Sequence, residues 1–146
     1  MYEILIVGGG PAGLTAAIYA ARAGKHVAVL ERGSTGGQIV SAPLVENYPG
    51  IPSVSGTELA RQMTEQARTF GAEIVYTEAV GLEKTPAGFR VLCTDGVREA
   101  KTVILATGAA HRQLGLPGET TLVGCGISYC AVCDGAFYEG ADVAVV

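Results

Sequence analysis

The sequence predicts an α/β protein organised around a buried parallel sheet. Three observations carry that prediction. Short continuous apolar runs, EILIVG (3–8), HVAVLE (26–31) and TVILATG (102–108), have the length and composition of strands covered on both faces. An Ala-rich helical stretch joins the first two. Hydrophobic residues make up 49% of the chain and charged residues only 16%, the balance of a chain with a packed core rather than a disordered one. The 146 residues are enough to close such a core.

In chain order, the run 3–8 ends in glycine, as a central parallel strand does. PAGLTAAIYAARAG (11–24) follows as a helix, with Pro11 in its first turn and Gly24 as its stop. HVAVLE (26–31) completes a βαβ unit of the right-handed kind. Residues 33–56 are dense in Gly, Pro and Ser and read as a functional loop. TELARQMTEQARTFGAE (57–73) is an amphipathic helix with Leu59, Met63, Ala67 and Phe70 on one stripe. EIVYTEAVGLEK and GFRVLCTD, separated by turn signals, suggest a small antiparallel meander. The strand 102–108 follows, then a linker, AAHRQLGLPGE (109–119). A domain boundary is expected near Gly115, dividing residues 1–114 from 115–146. The final ADVAVV (141–146) is expected to start a strand.

Composition excludes several functions. A formal charge of −4 with no basic run argues against nucleic acid. The apolar N-terminus lacks a basic leader and reads as a strand, and no apolar stretch approaches the ~18 residues of a membrane span. The expected compartment is the cytoplasm. Four cysteines there point to catalysis or metal binding rather than to a structural disulfide framework.

Gly8, Gly10 and Gly13 form G-x-G-x-x-G, weak alone but placed after a strand, opening a helix at Pro11-Ala12, and followed by Glu31 at the end of the next strand. The glycines serve a tight turn, a backbone approach to pyrophosphate, and close helix–strand packing. The helix N-terminus offers N–H groups to the phosphates. Glu31 suits a ribose hydroxyl, which favours FAD or NAD over NADP. This is the pattern of a Rossmann-like dinucleotide site.

SYCAVCDG (128–135) holds the second candidate site. Cys125, Cys130 and Cys133 have the C-x4-C-x2-C spacing of a plant-type [2Fe–2S] site, which needs a further cysteine downstream. Zinc wants two paired knuckles, and one pair is present. A redox reading needs only Cys130 and Cys133, with Asp134 able to serve a leaving thiolate as proton donor or to cap a helix. Cys93 reads as an apolar strand thiol, Cys125 has no assigned role, His26 reads as structural, Arg112 as a linker cation, and Tyr129 as packing or recognition.

The dinucleotide motif, GGQ (36–38), ENYPG (46–50), EAV (78–80), ATGA (106–109) and CAVCDG (130–135), in that order, resemble the low-molecular-weight thioredoxin reductases along essentially the whole chain. CAVCDG differs at one position from that family's usual C-A-T-C-D-G. The resemblance implies a homodimeric flavoprotein that passes electrons from NADPH through FAD to thioredoxin. It implies an FAD-binding domain with a small meander, followed by the start of a second Rossmann-like domain for NADPH, the two rotating relative to each other. It points to Gly37, Gln38, Asn47, Val80, Ala106, Thr107 and Gly108 as FAD contacts beside Gly8, Gly10, Pro11, Ala12, Gly13 and Glu31. It makes Cys130–Cys133 the redox-active disulfide, Cys133 facing flavin and Cys130 attacking thioredoxin, with Asp134 as acid–base group. It assigns no metal. A second glycine motif for NADPH lies beyond this sequence in that family, so the chain is expected to be the N-terminal portion of a longer protein. Relatives with another donor or acceptor (ferredoxin, a peroxiredoxin system, a dithiol oxidase) and a non-catalytic module stand as alternatives.

Overall fold

A computed structural model describes residues 1–146. Residues Met1–Gly108 and Ala109–Val146 form two compact units. In the first, strand β1 (Tyr2–Val7) leads into helix α1 (Pro11–Arg22), strand β2 (Val27–Glu31), helix α2 (Gly56–Thr69) and strands β3 (Glu73–Tyr76), β4 (Ala79–Thr85), β5 (Gly88–Cys93) and β6 (Gly96–Leu105). The strands make one six-stranded sheet in the order β3-β2-β1-β6-β5-β4.

β1 sits in the middle because its residues are apolar on both faces. It pairs in parallel with β2 (Ile4 with Val27 through Val7 with Leu30) and with β6 (Tyr2 with Ala100 through Val7 with Leu105). On one face Ile6, Val27 and Val29 meet Leu14, Ala17 and Ile18 of α1 and Leu59, Met63 and Ala67 of α2. On the other face Leu5, Ala28 and Leu30 meet Val91 of β5 and Ala100 of β6. The antiparallel meander β4-β5-β6 thus curls over the second face of the parallel strands it extends. Leu5, Leu14, Val27 and Val29 are fully buried, and each contributes about 1.5–3 kcal/mol by burial.

Local chemistry sets the element ends. α1 stops where Gly24 adopts φ +70°, and the Lys25 N–H returns to the Ala20 carbonyl. α2 begins at Ser55, whose hydroxyl accepts the Glu58 N–H at 3.2 Å. Phe70, expected on the buried stripe, lies past the last turn and is exposed, with the Arg22 guanidinium 5.6 Å from its ring centre. EIVYTEAVGLEK is two strands, not one. β3 joins the parallel edge beside β2, and the chain turns at Thr77, whose N–H donates to the Glu31 carbonyl (2.9 Å), before β4 enters the meander.

The 109–146 unit contains two single-turn helices, α3 (Glu119–Leu122) and α4 (Ala131–Asp134), and a 3-10 turn at Gly135–Tyr138. The expected strand at 141–146 does not form. A strand needs a neighbour to satisfy its backbone, and this unit holds none; Val145 and Val146 are almost fully exposed.

The α2 cap is directly testable. Ser55→Ala should lower stability by about 1 kcal/mol in chemical denaturation. The Arg61 guanidinium, then the Gln62 amide, hold the Glu58 carboxyl at about 2 against its ordinary 4.5. Its contribution is therefore complete above about pH 4.5 and is lost as pH falls through about 2. Glu58→Gln should flatten the acid limb of the stability profile over that window and leave stability near pH 7 with little further pH dependence from this group.

Candidate functional site

The glycine turn between β1 and α1 is shaped first by the protein's own packing. Gly8 has φ +107°, and a Cβ there would lie 2.2 Å from the Ala106 carbonyl oxygen. A Cβ on Gly13 would lie 1.9 Å from the Gly8 carbonyl oxygen. Both positions exclude every side chain. Gly10 differs. Its φ is −75°, allowed to any residue, and the nearest atom to an added Cβ is Gly37 Cα at 4.0 Å. No protein atom requires glycine at position 10, and the backbone there is open.

What surrounds that space suits a dinucleotide. Gly10 caps α1 without any side-chain hydrogen bond, Pro11 occupies the first helical position, and no acidic residue stands in the first turn. The Ala12 and Gly13 end of the helix therefore presents its dipole uncompensated. Beyond it, the Glu31 carboxylate at the end of β2 accepts the Gly9 N–H at 2.7 Å and the Gly33 N–H at 2.9 Å. Each oxygen keeps a lone pair for a hydroxyl group. The Gly36 N–H donates to the Gly9 carbonyl at 2.7 Å, which brings Gly37 and the start of the 3-10 turn Gly37–Ser41, with Gln38, against the glycine turn. The Ala106 N–H donates to Val7 at 2.8 Å, and Thr107 Cα lies 3.3 Å from the Cβ position of Gly8. Gly8, Gly10, Pro11, Ala12, Gly13, Glu31, Gly37 and Ala106–Thr107 are thus one cradle at the C-terminal ends of three adjacent parallel strands.

Three expected contacts stand apart from the cradle's hydrogen bonds. Asn47 is exposed in the loop closed by the Val45–Val54 bridge. Val80 is the bulged residue of β4, 64% exposed. Gly108 lies exposed two residues past the Ala106 contact. A shallow depression of about 400 Å³ at the opposite end of β1, lined by Tyr2, Arg90 and Arg98, has its guanidiniums already paired with Glu83 and Asp95.

In the 109–146 unit, Cys130 and Cys133 form a disulfide. Cys130 caps α4, and its sulfur accepts the Cys133 N–H at 3.2 Å. Cys133 is exposed and Cys130 half-buried. Val132 between them is 99% exposed and Phe137 beyond them 84%. Cys93 and Cys125 are unpaired thiols. Two supporting groups escaped the sequence reading. The Ser128 hydroxyl accepts the Cys130 N–H (3.1 Å) and donates to Asp134 (2.6 Å), so the carboxylate is held one residue past the disulfide. A serine two residues before a cysteine is the visible trace of that bond. Glu119, only 4% exposed, accepts hydrogen bonds from Leu114, Gly115, Leu116 and Tyr129. The Tyr129 hydroxyl, then the Leu114 N–H, hold its carboxyl below the usual range, and Glu119 in turn pushes the Tyr129 hydroxyl up. Nothing in the spacing of LPGE marked it.

The profile of a family described as pyridine nucleotide-disulphide oxidoreductase matches residues 2–146. Thioredoxin reductase of Bacillus subtilis is 44% identical over 146 residues, covering all of this chain and 46% of that protein. The crystal structure of thioredoxin reductase from Streptococcus pyogenes superposes with a TM-score of 0.84 at 50% identity, over 94% of this chain and 45% of that one. A ferredoxin-flavin thioredoxin reductase from Clostridium acetobutylicum superposes with a TM-score of 0.71 at 34% identity, over 94% of this chain and 47% of that one. The chain spans about half the length of the relatives it matches.

The glycines should separate in a thermal melt. Gly13→Ala, forced against the Gly8 carbonyl, should cost about 3 kcal/mol. Gly10→Ala, with room for its methyl, should leave the unfolding midpoint of the FAD-free protein unchanged within error.

Proposed function

The chain belongs to the pyridine nucleotide-disulphide oxidoreductase family, and on that premise we propose that it carries the FAD site and the working disulfide of an NADPH-dependent thioredoxin reductase. The observation that supports this most is the conjunction, within a chain similar along its whole length to thioredoxin reductases, of an open-backboned glycine cradle facing a carboxylate and a Cys130–Cys133 disulfide whose Cys133 is exposed. In this reading residues 1–114 are the N-terminal part of the FAD domain and residues 115–146 open the NADPH domain. The protein works as a homodimer in the cytoplasm. No helix is long and apolar enough to cross a membrane.

FAD held at Gly8–Gly13, Glu31, Gly37–Gln38 and Ala106–Gly108, with Asn47 and Val80 at its edges, would supply the two-electron relay between NADPH and the disulfide. The remaining steps belong to this chain. Once reduced, Cys130, whose sulfur the Cys133 N–H reaches in the disulfide, serves as the nucleophile. It attacks a thioredoxin sulfur, forms a mixed disulfide and expels one thioredoxin thiolate. Cys133 then attacks Cys130, releases the second thiolate and restores the Cys130–Cys133 bond. Two electrons leave the pair and two protons end on thioredoxin. Asp134, fixed by Ser128 beside the pair, holds and passes the proton that the leaving thiolate takes up. The exposed Val132 and Phe137 leave the disulfide's rim apolar and accessible to a protein substrate.

A second reading, with ferredoxin in place of NADPH as donor, is favoured by the likeness to the Clostridium acetobutylicum ferredoxin-flavin enzyme. The visible spectrum of the full-length protein separates the two. Flavin bands that bleach under anaerobic NADPH support the first; bands that bleach only with dithiol or reduced ferredoxin support the second. A colourless protein that takes up no FAD overturns both.

Two variant sets extend the test. Cys130→Ser and Cys133→Ser should each abolish thioredoxin reduction while NADPH still bleaches the flavin, read by stopped-flow absorbance. Gly10→Ala should bind FAD at least about tenfold more weakly, a loss of about 1.4 kcal/mol, in a flavin-fluorescence titration.

A further inference from the structure

A carboxylate that is almost wholly buried needs partners, and Glu119 has four. One oxygen accepts the Leu114 N–H (2.8 Å) and the Tyr129 hydroxyl, and the other accepts the Gly115 (2.7 Å) and Leu116 (3.1 Å) N–H groups. Glu119 opens α3, yet its side chain does not cap that helix. It reaches back into the preceding turn and across to Tyr129. Tyr129 is held a second time, by stacking on His111 with ring centres 5.1 Å apart and planes 4° from parallel. The residue after Tyr129 is Cys130. Its N–H goes to Ser128, which in turn binds Asp134. Both ends of the Cys130–Cys133 turn are therefore tied down, one through Glu119 and Tyr129, the other through Ser128 and Asp134.

We propose that Glu119 is a positioning residue for the disulfide: through Tyr129 it anchors the segment entering Cys130 and keeps the two sulfurs close in the reduced chain. An anchored dithiol has less conformational freedom to lose when its ring closes, so its effective concentration for re-forming the disulfide is high. Releasing the anchor lowers that concentration and makes the pair easier to reduce. The inference rests on the reading of Cys130–Cys133 as the working disulfide.

The test equilibrates the full-length protein with dithiothreitol buffers of defined reduced-to-oxidised ratio, traps thiols by alkylation, and weighs the peptide carrying Cys130 and Cys133. In each turnover one dithiothreitol closes to its cyclic disulfide, giving two electrons and two protons, while the Cys130–Cys133 bond opens to two thiols. Tyr129→Phe removes one hydrogen bond and leaves the three backbone bonds of Glu119 intact. It should shift the equilibrium toward the dithiol by about fivefold, the ratio that one residue's backbone freedom, regained in the reduced chain, is worth. Glu119→Gln should shift it the same way. The double variant should move little further than the stronger single one, because both act through one contact. If Glu119→Gln does not fold, Tyr129→Phe decides alone. A Tyr129→Phe equilibrium within twofold of the parent, or displaced toward the disulfide, with unchanged far-UV circular dichroism, overturns the proposal. A parent whose Cys130 and Cys133 show no reducible bond overturns it together with the functional reading. A parent that titrates normally beside a silent Tyr129→Phe overturns the Glu119 role alone.

Discussion

The site depends on a place where backbone meets backbone with no room for a side chain. The Gly8 carbonyl lies against Gly13, and Gly8 itself lies against the Ala106 carbonyl. These approaches seat the first turn of α1 directly over the ends of β1 and β6 and set the distance from the helix terminus to Glu31. Everything else in the cradle is hung from that turn. Gly9 offers its N–H to the Glu31 carboxylate and its carbonyl to Gly36. The 33–56 loop is drawn in by the latter bond and held from behind, where Gly36 packs on Ala60 and the Thr64 hydroxyl reaches Thr35. A loop rich in Gly, Pro and Ser is thereby given one conformation by a few contacts with the glycine turn and α2.

Much of this architecture was legible because it rests on local pattern. Continuous apolar runs become strands buried on both faces only if both faces are covered, and β1 and β2 are. The G-x-G-x-x-G spacing is a steric statement, and two of its three glycines can be justified from atoms of the chain itself. The remaining difficulties are non-local. EIVYTEAVGLEK carries no mark of the turn at Thr77, because the break is made by a hydrogen bond to Glu31, 46 positions earlier in the chain by residue number. Phe70 continues the apolar stripe of α2 in sequence but falls beyond its last turn. ADVAVV has the composition of a strand, and composition does not supply a neighbour.

The second site was legible in its reactive atoms and illegible in its supports. Two cysteines and an aspartate are conspicuous as residue types. Glu119 looks like an ordinary acidic residue after a Pro-Gly turn, and its burial follows from where three backbone N–H groups and a tyrosine hydroxyl converge. Such convergence depends on the path of the chain, which spacing does not encode. The same holds for Ser128, whose role is visible only when Cys130 and Asp134 are seen on either side of it.

β6 is shared between two arrangements. Its first half closes the meander with β5, and its second half completes the parallel sheet beside β1. The Thr102 hydroxyl reaches the Glu3 carbonyl across 99 residues of sequence. During synthesis the βαβ unit is therefore available long before the strand that finishes it. At about 5–20 residues per second the glycine turn waits roughly 5–20 s for Ala106 to arrive. Until then Gly8 has no carbonyl to lie against, and Leu5 and Ala28 have no meander to cover them. The nascent chain can hold a helix and two strands, yet its glycine turn has nothing behind it. Closure of the glycine turn is a late event, timed by the emergence of β6.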